Sequence, residues 1–315
     1  MIISIFSHAN GKECYKSIIS FGDSISDTGN SLILSPPNNK PPSAFPPYGE
    51  TYFGRQTGRF CDGRLIIDFF AQKFGLPLVP PYFGGVDDVG NFPKGVNFAV
   101  AECNKLLKKS LILMGEIGGN EFNYAFSQNV SNETIRGLVP DIINAISSEL
   151  IKFGGVTFLV PGNFPIGCLP VYLTNFQTSN NQDYDRSGCL IWLNEFSEYY
   201  NGMLKEELNR IQRLHPATNI VYADYYQAAL QLYRFPRLFG LTNTLTACCG
   251  GGGPYNFNIS KFCGRPGSNL CEDPSTYISW DGVHFTEAAY KLISKSLLDG
   301  STTIPRFNNI IQYCA

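Results

Sequence analysis

The chain has 315 residues, 43% of them hydrophobic and 16% charged, with a net charge of −2. That is ample apolar material for a large core and too little charge for a disordered chain. The balance carries no basic footprint for nucleic acid, and no apolar run reaches the length of a membrane span.

Residues 1–15 show no periodic pattern. Their start, Met1-Ile2-Ile3-Ser4-Ile5-Phe6, is apolar but has no basic flank and is shorter than a secretion signal's apolar region, so the segment reads either as the remnant of a trimmed signal or as a gene start set too late. Structure begins at Lys16-Ser17-Ile18-Ile19-Ser20-Phe21, an apolar, β-branched strand pattern broken by Gly22-Asp23. The break leaves Ser24 at the strand's carboxyl end, the rim where open α/β sheets bind ligands. A serine on a sharp turn there exposes its hydroxyl and turns its own N–H toward a developing oxyanion. The same pattern fits a plain helix-capping serine, so a base must be found elsewhere.

Pro36-Pro37, Pro41-Pro42 and Pro46-Pro47 then mark a long irregular loop suited to shaping a pocket. Residues 62–74 read as a helix with Leu65, Ile66, Phe69, Phe70 and Phe74 on one stripe, ended by Gly75. Residues 96–100 and 111–114 are short apolar runs of buried parallel strands. A helix capped by Ser131 or Asn132 carries Ile135, Leu138, Val139, Ile142, Ile143, Ile146 and Leu150 at steps of three and four, and Gly154-Gly155 ends it. Pro140 is expected to kink this helix or to start its second part. Residues 156–160 give a fourth strand, 190–214 a long amphipathic helix stopped by Pro216, and 219–224 a fifth strand followed by helix from Tyr225.

Gly250-Gly251-Gly252-Gly253 lacks the Lys-Ser/Thr of a phosphate loop and reads as ordinary loop. Thr286 caps a last helix reaching Leu298. There is no internal repeat and no clear linker, so residues 16–315 form one α/β domain: a three-layer α/β/α sandwich, flavodoxin-like, with a mostly parallel five-stranded sheet.

Three histidines compete for the role of base. His8 lies in the unpatterned start, and His215, before Pro216, does helix-end work. His284 has Asp281 three residues upstream, and a carboxylate-held imidazole is the base that a serine nucleophile requires. The ten cysteines and the sequons Asn129-Val130-Ser131, Asn132-Glu133-Thr134 and Asn258-Ile259-Ser260 point to an oxidising, secretory compartment. Neither Cys-x-x-Cys nor His-Glu-x-x-His occurs, so disulfides are favoured over zinc.

Gly22-Asp23-Ser24, Gly95-Val96-Asn97-Phe98-Ala99, Met114-Gly115-Glu116-Ile117-Gly118-Gly119-Asn120 and Asp281-Gly282-Val283-His284 follow one another in an order that resembles the SGNH (GDSL-type) hydrolases, most closely the plant GDSL esterase/lipases. Pro46-Pro47-Tyr48-Gly49-Glu50-Thr51, Thr57-Gly58-Arg59-Phe60, Gly63-Arg64-Leu65-Ile66-Ile67-Asp68, Ala247-Cys248-Cys249-Gly250 and Gly252-Gly253-Pro254-Tyr255-Asn256 extend the likeness over nearly the whole chain.

The resemblance implies Ser24 as nucleophile, His284 as base, Asp281 as the acid that orients it, and an oxyanion hole made by the Ser24 N–H and Asn120. It implies a secreted or vacuolar serine esterase or lipase, monomeric, that hydrolyses a small or medium acyl ester through an acyl-enzyme. No metal, organic cofactor, nucleic acid or transmembrane segment is implied. The sequons mark Asn129, Asn132 and Asn258 for glycosylation, and the resemblance suggests pairing of Cys14 with Cys61 and of Cys168 with Cys189, and a cluster among Cys248, Cys249, Cys263 and Cys271. Gly-x-Ser-x-Gly is absent, which argues against an α/β-hydrolase. An acyltransferase using the same serine, and a catalytically impaired relic or binding protein of the same fold, are the alternatives.

One segment departs from the family. Residues 102–110 leave nine positions between the second and third strands, where a parallel crossover needs a dozen or more. On resemblance the family has roughly thirty residues more here, Glu102 stands where it has a glycine that gives a third oxyanion N–H, and Cys103 has lost its partner. A crossover this short predicts an uncovered sheet face, low stability and weak activity.

Overall fold

The computed structural model describes residues 15–84, 92, 94–97, 110–153 and 157–311. Five parallel strands carry the fold: β1 (Ser17–Ser20), β2 (Gly95–Asn97), β3 (Ser110–Leu113), β4 (Thr157–Pro161) and β5 (Asn219–Ala223), in the spatial order β2-β1-β3-β4-β5. Ile19 stands beside Val96 on one side and Ile112 on the other, and Leu159 links Leu113 to Val221. All six of these side chains are buried. Strands covered on both faces need continuous apolar runs rather than alternation, and these segments supply them. The order places β2 and β3 on opposite sides of β1, so the loop after β1 opens at a topological switch point.

The sheet has six strands rather than the five expected. Thr303–Ile304 (β8) adds an antiparallel edge beside β5, and two residues are too few to leave a periodic signal. A separate two-stranded ribbon pairs β6 (Cys249–Gly250) with β7 (Asn269–Leu270).

The helices fall into two packed groups, as a three-layer sandwich requires. In one, α3 (Gly119–Ser127) packs on α4 (Asn132–Phe153), and α4 on α6 (Ile191–Leu214). In the other, α8 (Glu287–Leu298) meets α2 (Ile66–Lys73), α7 (Tyr225–Arg234) and α9 (Phe307–Ile311). Leu193, Phe196, Tyr200, Leu204, Leu208 and Ile211 form the buried stripe of α6; burying one such Leu, Ile or Phe contributes about 1.5–3 kcal/mol. Ser131 caps α4, its hydroxyl accepting the Thr134 N–H at 3.2 Å, and the helix runs through Pro140 unbroken. Thr286 caps α8 by accepting the Ala289 N–H.

Helix α2 starts at Ile66, four residues later than the stripe suggests. Asp62 is drawn elsewhere: it accepts from Thr51 Oγ1 (2.6 Å) and from the Glu287 N–H (2.7 Å), tying this loop to α8. Asp68 closes the helix instead, accepting the Leu65 N–H. The helices α1 (Asn30–Leu34), α3, α5 (Pro170–Asn175) and α9 were not expected, most of them being one or two turns long.

Among the described residues three disulfides form, Cys168–Cys189, Cys248–Cys271 and Cys249–Cys263. The expected bond between Cys14 and Cys61 is corrected: Cys61 is a free, buried thiol against Asp62 Oδ1 (3.3 Å). Burial and the charge of Asp62 push that thiol well above its ordinary range. Cys14, Cys103, Glu102 and the crossover at 102–109 lie outside the described residues.

Candidate active site

At the end of β1 the chain crosses the end of β3 so closely that a Cβ on Gly22 would strike the Cα of Gly115, and the reverse. Gly22 also has φ 138°. Only glycines fit at this crossing, and the turn they permit projects Ser24 above the sheet. Asp27 holds the turn by accepting the N–H groups of Gly29, Asn30 and Ser31. Asn97 on β2 donates to the Ser26 carbonyl, and Asn30 donates back to the Asn97 carbonyl at 3.0 Å.

The partner loop precedes α8. Asp281 accepts the backbone N–H of Val283 (3.0 Å) and of His284 (2.8 Å) on Oδ1, which curls the loop at Gly282 (φ 96°). The neighbouring cysteine-rich segment braces it: Cys248 N–H donates to the Ser279 carbonyl and Cys249 N–H to that of Trp280. The result is a continuous chain of contacts. Ser24 Oγ lies 2.8 Å from His284 Nε2, and His284 Nδ1 lies 2.7 Å from Asp281 Oδ2. The Phe60 ring lies tilted against the imidazole, 5.1 Å between centroids.

Asn120, the second residue of α3, is exposed and lines the same cavity as Ser24 and His284. Its helix is anchored two residues on by Phe122, which packs edge-on against Phe196 (4.9 Å) and Tyr200 (5.5 Å). Tyr200 OH donates to the Ile117 carbonyl at 2.6 Å, fixing the loop that leads into α3.

The electrostatics suit a buried imidazole pair. Burial opposes charging His284, but the Asp281 carboxylate, its hydrogen bond and the charge of Asp23 outweigh this, and the His284 pKa is raised above its ordinary 6.5. Burial likewise opposes the Asp281 charge, yet His284 and the two backbone N–H groups hold it below 3.8. By linkage, the His284 contribution to stability is full below pH 6.5 and is lost as pH rises through its folded value. The Asp281 contribution is full above the ordinary carboxylate range and is lost as pH falls through its own. Two further carboxyls share the cavity. Desolvation pushes Asp23 up to about 6, and burial with the nearby Asp23 charge pushes Glu116 well above the usual carboxylate range.

Ser24, Asp281, His284 and Asn120 are thus gathered at one rim. The sequons lie away from it: Asn129 and Asn258 are exposed, whereas Asn132 is half-buried with its side-chain oxygen enclosed. His215 ends α6, exposed; of the four glycines, Gly250 lies in the β6–β7 ribbon rather than in a loop, and Gly252 donates its N–H to Asn256 Oδ1 in the turn that follows. Tyr48, Phe60, Asp23, Glu116 and Asn163 also face the site or its partners without having been singled out for it; Tyr48 and Phe60 belong to the quoted loop motifs, which were the available signal. Among the described residues no group of His, Cys, Asp and Glu is placed to hold a metal ion, and no helix is long and apolar enough to cross a membrane.

Comparison with known proteins bears on the whole chain. The GDSL-like Lipase/Acylhydrolase family model matches residues 18–297. One GDSL esterase/lipase of Arabidopsis thaliana is 49% identical over 355 residues, covering 98% of this chain and 90% of its own. A second from the same plant is 51% identical over 341 residues, covering 93% and 84%. The sinapine esterase of Brassica napus is 47% identical over 343 residues, covering 93% and 88%. Identity near one half, sustained from the first strand to the last helix, reflects common descent rather than a shared short motif, and the chain belongs to the plant GDSL esterase/lipases, a family of carboxylic ester hydrolases.

Proposed function

We propose that the protein hydrolyses a small or medium acyl ester by way of a Ser24 acyl-enzyme. The observation that carries this reading is the unbroken Ser24–His284–Asp281 contact chain at the sheet's switch point. His284 takes the Ser24 proton as Oγ attacks the ester carbonyl, then returns it to the departing alcohol. Water follows the same route in reverse to release the acid. Asp281 keeps the Nδ1 proton in place and stabilises the imidazolium. The oxyanion meets the Ser24 N–H and the Asn120 amide. Leu34, Pro36 and Phe60, lining an open cleft on the other side of Ser24, offer apolar surface to the substrate. Turnover of p-nitrophenyl acetate by the purified protein, together with covalent labelling by a fluorophosphonate, tests the reading; absence of both would overturn it.

The three disulfides and two exposed sequons support passage through the secretory route, with glycans at Asn129 and Asn258 ahead of Asn132. One catalytic domain spans 16–315, with a shortened crossover at 102–110. The 355-residue alignment is longer than the 315-residue chain, so that relative carries residues with no counterpart here, in keeping with such a shortening.

Two outcomes follow from the assigned roles. Replacing Asn120 with alanine removes one oxyanion donor and is expected to lower kcat about 100- to 1,000-fold with KM little changed; a loss below threefold would take Asn120 out of the oxyanion hole. The base must be neutral to act, so kcat/KM should climb with pH through an apparent pKa above 6.5, opposite in sense to the stability contribution of the charged pair. An acid limb centred below 6.5 would contradict that.

A further inference from the structure

The proline-rich loop sends one side chain to the far end of the triad. Tyr48 is fully buried, and its hydroxyl donates to Asp281 Oδ2 at 2.8 Å, the same oxygen that His284 Nδ1 engages at 2.7 Å. Asp281 Oδ1 already accepts the Val283 and His284 N–H groups. The carboxylate therefore receives two donors on each oxygen, and Tyr48 is the one that comes from outside its own loop. The phenol is held edge-on against Trp280 (5.7 Å) and Phe60 (6.4 Å), and Phe60 in turn lies against the His284 ring. Burial, the charge and hydrogen bond of Asp281, and Cys61 push the Tyr48 hydroxyl well above its ordinary range, so it stays a donor.

We propose that Tyr48 is a positioning residue of the hydrolytic reaction: its donated hydrogen bond fixes the Asp281 carboxylate and limits how strongly that carboxylate draws charge onto His284. This rests on the triad reading above. In a dry site a hydrogen bond to an ionised group is stronger than one between neutral groups, and an emptied acceptor position is not refilled by solvent. Without the phenol hydroxyl the carboxylate is looser and its charge less spread, so its pull on the imidazolium grows. The titratable groups around His284 and its partners are Asp281 on the same loop, Asp23 from the serine turn, Glu116 in the same cavity, Tyr48 from the proline-rich loop, and Tyr290 from α8, with Cys61 acting on the two tyrosines. Tyr48→Phe changes one of them and keeps the ring packing.

Tyr48→Phe is expected to lower kcat about tenfold at unchanged KM. It should also raise the His284 titration midpoint, followed by NMR of ring-labelled histidine, by about half a pH unit. In an Asp281→Asn background the same change should cost little more, because Tyr48 acts through the carboxylate. Should Tyr48→Phe fail to fold, difluorotyrosine at position 48 keeps the ring, strengthens the donor and should move the midpoint down. An unmoved midpoint, or an equal loss in the Asp281→Asn background, overturns the proposal. The titration needs no turnover, which separates the two readings. An inactive wild type whose midpoint still responds to Tyr48 defeats hydrolysis alone, whereas an active wild type with no response defeats Tyr48 alone.

Discussion

Ser24→Ala is expected to lower ester hydrolysis by about 10⁴- to 10⁶-fold while leaving the fold intact. The hydroxyl is the only group in the contact chain positioned to form the acyl bond, and His284 cannot activate a methyl. The substitution removes one hydrogen bond from a half-buried turn whose shape is set by Gly22, Asp27 and Asn97. The melting temperature should therefore hold. Fluorophosphonate labelling should vanish with the activity; equal labelling of both proteins would remove Ser24 from the nucleophile's role. His284→Ala should approach the same loss, since each member of such a unit is nearly worthless without the others. Asp281→Asn should be damaging but less so, because the imidazole still has its serine partner.

Arg59→Met is expected to unfold the protein earlier than any single change on the surface. Arg59 meets Asp68 through two parallel hydrogen bonds of 2.8 Å, donates to the Thr28 carbonyl at 3.2 Å, and lies over the Phe53 ring. Asp68 is fully buried. Removing one partner leaves an uncompensated charge out of water and costs about 3–5 kcal/mol, a fall in Tm of roughly 10 °C for a chain of this size. The double variant Arg59→Met with Asp68→Leu should regain part of the loss, because no buried charge is left alone although the Leu65 N–H loses its cap. A single variant that melts like wild type would show the pair to be dispensable. The pair joins the start of α2 to the turn carrying Ser24, and Phe60, next along the chain, rests on His284; some activity should be lost with the stability.

The parallel strands, the long helices and the serine–histidine–aspartate set were legible because each rests on local chemistry. An apolar run, a stripe at helical spacing or Asp-x-x-His shows itself within a dozen residues. Ser24 and His284 stand 260 positions apart, and only the resemblance to a family joined them before the fold did. Tyr48, 233 positions from Asp281, was not legible as part of the site, because nothing local distinguishes a tyrosine that binds a carboxylate from one that fills a core. The sixth strand and the one-turn helices escaped for want of length. Helix α2 began late because Asp62 was claimed by Thr51 and by the start of α8.

The bracing of the Asp281 loop by the Cys248–Cys271 and Cys249–Cys263 segment has a consequence for how the enzyme matures. Nucleophile and base arrive by different means: Ser24 is shaped by two glycines and an asparagine lattice that any cell compartment allows. His284 rides on a loop whose backbone leans on Cys248 and Cys249. A freshly made, reduced chain would carry a finished serine turn facing an unsupported imidazole. Reducing those two bonds would thus loosen the support under His284 while leaving the serine turn as it is.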